Sequence, residues 1–110
     1  QFWEQAKEKF KAIKQGGYRE IFSWAEKLDK AKDRKLCELT LEWLLVMYRN
    51  KIVEQDFSGA DLAGCFTALE EINKAVYAIK NNGNYRLTME VLLIKLRNIE
   101  QRERGVIPNG

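Results

Sequence analysis

The chain has no histidine, only two cysteines and only one proline among its 110 residues. Histidine is the side chain that most often serves as a general base, proton shuttle or metal ligand near neutral pH. Cys37 and Cys65 lie far apart in the sequence, and two isolated cysteines cannot build a zinc site without histidine. Neither Gly-x-x-x-x-Gly-Lys-Ser/Thr nor Gly-x-Gly-x-x-Gly is present to hold a phosphate. We therefore expect a non-catalytic chain without a metal, a cofactor or a small-molecule substrate.

Long apolar runs are also lacking. No stretch approaches the roughly 18 apolar residues that a membrane-spanning helix needs, and no signal peptide is recognisable. The two cysteines are expected to be buried, reduced thiols of a cytoplasmic protein, with a disulfide as the alternative. The 19 basic and 16 acidic residues are interspersed and leave a net charge of +3, which attracts nucleic acid only weakly.

Length and composition predict one globular domain over residues 1–110. Single domains usually contain about 100–200 residues. Hydrophobic residues make up 45% of the chain and charged residues 32%, which is typical of a folded domain. The chain begins at Gln1 and enters a helical pattern at once, so we expect a domain cut from a longer protein. Residues 105–110 are expected to form a short frayed tail.

Apolar residues recur three and four positions apart along the whole chain, which is the period of an α-helix. The pattern is interrupted at Gly16-Gly17 and at Asn81-Asn82-Gly83, where we expect glycine to end a helix in the left-handed conformation. Asp33, the Ser58-Gly59-Ala60-Asp61 sequence and Asn84 are expected to cap the third, fourth and fifth helices. The sequence predicts an all-α fold of about five antiparallel helices in a compact bundle, over residues 2–15, 18–32, 34–53, about 60–80 and 85–104.

Two of these helices are unusually apolar. The third leaves only a narrow polar strip through Glu38, Glu42 and Arg49, and such a helix belongs at the centre of a bundle. The fifth carries more apolar side chains than a domain of this size needs, which favours a protein–protein interface. The candidate interface residues are Tyr85, Met89, Val91, Leu92, Ile94 and Ile99.

The most distinctive sequence is KNNGNYRLTMEVLLIKL at residues 80–96. It resembles the end of bacterial DNA polymerase III clamp-loader subunits, most of all the delta-prime type, in which an Asn-x-Asn turn leads into an R-L-x-x-E-x-L-L-x-K-L helix. LLVMYRN at residues 44–50 is similar to that family's helix ending in W/Y-R-D, with Asn50 in place of the aspartate. The similarity covers about residues 10–100. The motif positions to which it assigns a structural role are Arg49, Asn84, Arg86 and Glu90.

The resemblance implies a C-terminal helical collar domain that acts in DNA replication by oligomerisation. In this family five such domains form a ring, from which ATPase modules hang and open the sliding clamp. The implied partners are the tau/gamma and delta clamp-loader subunits, and DNA would be reached only indirectly. The collar domain of the delta subunit is the nearest alternative. A helical nucleic-acid-binding module is the alternative from another class, and it requires Lys80, Arg86 and Arg97 to form one continuous basic patch.

Overall fold

The computed structural model describes residues 2–30, 34–81 and 83–102, and every regular element in these ranges is helical. This confirms the predicted all-α fold, and the predicted helix bounds agree closely with the observed ones. The predicted cap at Asp33 and the predicted tail at 105–110 lie outside the described residues. In chain order the helices are α1 (Phe2–Gln15), α2 (Tyr18–Lys30), α3 (Arg34–Glu54), α4 (Leu62–Lys80) and α5 (Tyr85–Arg102).

The central helix of the fold is α5, which packs against α1, α2 and α4. The expectation that α3 occupies the centre is wrong, because α3 packs mainly on α4 and touches α1 and α5 through single side chains such as Tyr48. Its buried residues follow one stripe that includes Leu41, Leu44 and Tyr48. Apolar residues away from that stripe remain in water: Val46 is 45% exposed and Val53 is 74% exposed. An apolar composition around a helix therefore does not by itself establish a central position.

The core is organised around the inner face of α5. Met89, Leu92, Leu93 and Leu96 recur at helical spacing and are almost completely buried. They belong to one hydrophobic cluster with buried side chains from the other four helices. Fully burying one such side chain contributes about 1.5–3 kcal/mol, so this face alone supplies a substantial part of the favourable free energy of folding.

The start of α4 is capped by a different residue from the one expected. The side-chain Oδ1 of Asp61 accepts a hydrogen bond of 2.6 Å from the backbone N–H of Gly64. Ser58 instead donates its hydroxyl to Asp56 Oδ1 at 2.8 Å within the preceding turn. The predicted Ser58 cap is wrong because Asp61 is the residue that directly precedes the first helical position, where a short acceptor reaches the free N–H groups.

The glycines near the helix ends do not adopt the left-handed conformation that we expected. Among the described residues, positive φ angles occur at Gln55 and Gly59. Gly83 is needed for a different reason: its N–H donates to the carbonyl oxygen of Ala78 at 2.8 Å and closes the end of α4. A Cβ at this position would lie only 2.7 Å from that oxygen, so a larger residue would force the turn open.

The two cysteines are buried, as expected, and no disulfide joins them. Cys65 on α4 directs its thiol toward the carbonyl oxygen of Ala60, 3.8 Å away. Burial raises the pKa of the Cys65 thiol, which keeps it protonated and poorly reactive near neutral pH.

A hydrogen bond between the side chains of two helices is buried in the core. Glu100 on α5 is only 3% exposed, and its Oε2 accepts a 2.7 Å hydrogen bond from the hydroxyl of Tyr48 on α3. The second oxygen, Oε1, lies against Gly59 and has no donor among the described residues. Burial, followed by the charge of Glu100, raises the pKa of Tyr48 well above its usual range. The contact therefore links the third and fifth helices through a protonated phenol.

Replacing Tyr48 with Phe should lower the free energy of unfolding by about 1–3 kcal/mol, because Glu100 would lose its donor while remaining buried. Urea denaturation followed by circular dichroism measures the change. Tyr77→Phe is the matched control, since Tyr77 is 71% exposed, and it should change stability by less than about 0.5 kcal/mol. Equal stability of the two variants would show that the buried hydrogen bond contributes nothing.

Candidate protein-interaction surface on α4 and α5

The six candidate interface residues separate into two groups in the structure. Met89, Leu92 and Ile99 are only 0%, 2% and 7% exposed, so their assignment to an outer surface is corrected: they belong to the chain's own core. Their spacing places them on the inward side of α5. Val91 is 42% exposed, and the remaining two, Tyr85 and Ile94, are half-buried.

The apolar residues on the outer side of α5 form a continuous stripe. Leu87, Val91 and Ile94 are spaced four and three positions apart, which places them on one side of a helix. Leu87 is 58% exposed, more than any of the six residues that we had predicted. The sequence carried a signal for it, because Leu87 precedes Val91 by one helical turn. We call these three residues the outer stripe of α5.

Leu87 and Val91 of the outer stripe line a groove of about 260 Å³ between α4 and α5, here called the α4–α5 groove. On the α4 side, Ala75 and Ala78 supply small side chains that leave the space between the helices open. On the α5 side, Leu87, Val91 and Leu92 supply its apolar wall. The groove is therefore a concave, mostly apolar surface, which is typical of docking sites for proteins and ligands.

A small charge network closes one side of the groove. Glu71 on α4 accepts hydrogen bonds from Lys95 Nζ at 2.8 Å and from Lys74 Nζ at 3.3 Å. The hydrogen bond from Lys95, supported by that from Lys74 and opposed by burial, lowers the pKa of Glu71. The three side chains form a polar rim beside an apolar centre, which is the usual composition of a protein–protein interface.

Of the four residues in the clamp-loader-like motif, three lie together at the start of α5 and the fourth, Arg49, lies on α3. Asn84 Oδ1 accepts a 2.9 Å hydrogen bond from the N–H of Leu87, which confirms Asn84 as the cap of α5. One turn later, Arg86 Nε donates to Glu90 Oε2 at 3.1 Å. Arg49 is exposed on α3 and makes no hydrogen bond or ion pair with any described residue. The motif thus organises the first turns of α5, from which the outer stripe begins.

Replacing Asn84 with Ala should lower the free energy of unfolding by about 0.5–2 kcal/mol, since the N–H of Leu87 loses its acceptor. Chemical denaturation measures the difference. Asn84→Asp provides the control because aspartate caps helices as well as asparagine does. If the alanine and aspartate variants are equally stable, the side chain does not act as a cap.

Two of the three basic residues that would favour nucleic acid, Arg86 and Arg97, are engaged by groups of the chain itself. Arg97 donates its Nε to the carbonyl oxygen of Gly16 at 3.1 Å, and its guanidinium lies 4.7 Å from the ring centre of Tyr18. Arg86 is paired with Glu90, which follows it on the same side of α5. Two of the three required cations are therefore engaged within the chain, and an acidic side chain separates them.

We expect the chain to bind duplex or primed DNA only non-specifically, with a Kd of about 10⁻⁴–10⁻⁶ M that weakens steeply as salt increases. Fluorescence polarisation with labelled duplexes of unrelated sequence, at several salt concentrations, measures this. Nanomolar, sequence-dependent binding at physiological salt would overturn the expectation.

Two further features are absent from the part of the chain that the structure describes. No group of three or more Cys, Asp or Glu side chains there is placed to hold a metal ion. None of the described helices has an apolar stretch long enough to span a membrane.

In comparisons with known proteins, no family model, curated protein or solved structure matches the chain.

Proposed function

We propose that the chain is a collar domain of a bacterial DNA polymerase III clamp loader, of the delta-prime type, in a cytoplasmic replication assembly. Its work is to associate with the helical collar domains of the tau/gamma and delta subunits, and it reaches DNA only through the rest of the complex. The observation that carries the proposal is the α4–α5 groove. It is bordered by the helix on which the sequence resemblance is strongest.

The exposed apolar area on α5 is large enough to matter energetically. Leu87 and Val91 are 58% and 42% exposed, and Ile94 extends the outer stripe by another turn. Fully burying one valine or leucine is worth about 1.5–3 kcal/mol, which corresponds to roughly tenfold to a hundredfold in affinity. A partner helix that covers the stripe would therefore gain affinity from each of these side chains.

The same stripe supports association rather than catalysis. Its side chains are aliphatic, and the charged residues beside it, Glu71, Lys74 and Lys95, already satisfy one another. Exposed ion pairs of this kind contribute little binding energy but favour one orientation of a partner. Because the sequence lacks a phosphate-binding loop, association should not depend on a nucleotide.

The test is isothermal calorimetry between the chain and each partner collar domain, tau/gamma and delta, with and without ATP. Val91→Glu should weaken association by about tenfold to a hundredfold, because it places a charge within the apolar centre. ATP should change the affinity by less than about twofold, and moderate salt should weaken it only slightly.

Val46→Glu is the matched control. Val46 is 45% exposed, close to the 42% of Val91, but it lies on α3. Both substitutions add the same charge to the middle of a helix and should leave the circular dichroism spectrum unchanged. Absence of any association at tens of micromolar, or equal weakening by the two variants, would overturn the proposal.

A further inference from the structure

A second hollow lies between α1 and α2, next to the first turn of α3. We call it the α1–α2 hollow. It has a volume of about 90 Å³. Its floor is apolar and well buried, with Ala6 from α1 and with Trp24 and Leu28 from α2. Phe2 and Leu36, both half-buried, form its walls. The share of one water molecule in the liquid is about 30 Å³, so the hollow has room for about three groups of that size, comparable to one branched aliphatic side chain.

Two lysines stand at the edge of this hollow. Lys9 of α1 and Lys27 of α2 both line it, and no acidic residue does. Neither ammonium group forms an ion pair within residues 2–30, 34–81 or 83–102. Burial, and then the nearby charge of Lys27, lower the pKa of Lys9. Two like charges therefore lie close together above an apolar floor, and no described carboxylate forms an ion pair with either of them.

The carboxylate of Glu20 lies near Lys9 but forms no ion pair with it. Glu20 lines a neighbouring hollow together with Lys9 and Arg19, but its Oε1 lies against Gly16. Including Arg19, the seam between α1 and α2 presents three cations and one acid. The side chains that line the two hollows therefore carry more positive than negative charge around an apolar depression, and the complementary group is an anion attached to an apolar side chain.

We propose that the α1–α2 hollow binds an acidic segment of a partner protein, in which an aliphatic side chain is flanked by carboxylates. The aliphatic side chain enters the hollow over Trp24, and the carboxylates pair with Lys9 and Lys27. The apolar contact holds the aliphatic side chain inside the hollow. The ion pairs with the two lysines fix the register of the segment. This site is distinct from the α4–α5 groove, so it offers the domain a second contact that is independent of the collar assignment.

The experiment is an NMR titration of the chain with a capped seven-residue peptide that carries leucine between two glutamates. The indole N–H signal of Trp24 and the side-chain signals of Lys9 and Lys27 should shift in a saturable manner. A peptide with both glutamates changed to glutamine should bind about threefold to thirtyfold more weakly, through loss of two exposed ion pairs. A peptide with alanine in place of the leucine should also bind more weakly.

Charge-matched variants of the chain make the test specific. Lys9→Met combined with Lys27→Met should weaken binding by about the same factor as removal of the glutamates. Lys7→Met combined with Lys11→Met, at exposed positions of α1, removes the same net charge and should change the affinity by less than about twofold. If the Lys9 and Lys27 variant does not fold, the titration of the unaltered chain is the test. Shifts at Lys9, Trp24 and Lys27 support the proposal, and shifts only at other residues overturn it.

Three results would overturn the proposal. The first is equal weakening by the two lysine pairs, which indicates a general charge effect. The second is equal binding of the leucine and alanine peptides, which shows that the hollow is not filled. The third is tighter binding of inorganic phosphate or a single-stranded oligonucleotide at the same signals, which would make the lysines a phosphate site.

Discussion

One face of α5 is buried by three helices at once, and the arrangement of the other elements follows from this burial. Met89, Leu92, Leu93 and Leu96 are held between α1, α2 and α4. This fixes the rotation of α5 about its own axis, since any turn of the helix would expose leucine and bury charge. The outer stripe and the α4–α5 groove are direct consequences, because the same rotation directs Leu87 and Val91 outward. The proposed interface is therefore positioned by the core.

Local features of the sequence predicted much of this architecture. The spacing of apolar residues and the positions of turn residues were sufficient to place all five described helices within a few residues. The Asn84 cap was also predictable, because a short polar side chain before an apolar periodic segment has a direct physical role at a helix start. Such signals act within one or two helical turns, so they can be read without knowing the tertiary structure.

What the sequence could not establish depends on packing between distant elements. Periodicity alone does not say which of two apolar helices is central, and it could not separate the buried Met89 from the exposed Leu87. The buried Tyr48–Glu100 contact was missed for the same reason, as its members are 52 positions apart. A signal did exist: Glu100 continues the helical face of Met89, Leu93 and Leu96, and a carboxylate on an apolar face usually has a buried donor.

We propose that the outer stripe of α5 is the surface that a partner collar domain covers. The most direct measurement is a methyl NMR titration of the chain with the tau/gamma collar domain, without nucleotide. We expect the methyl signals of Leu87, Val91 and Ile94 to shift or broaden, while those of the exposed Val46 and Val53 on α3 stay unchanged. Unchanged signals from the stripe at saturating partner, or changes confined to Val46 and Val53, would contradict it.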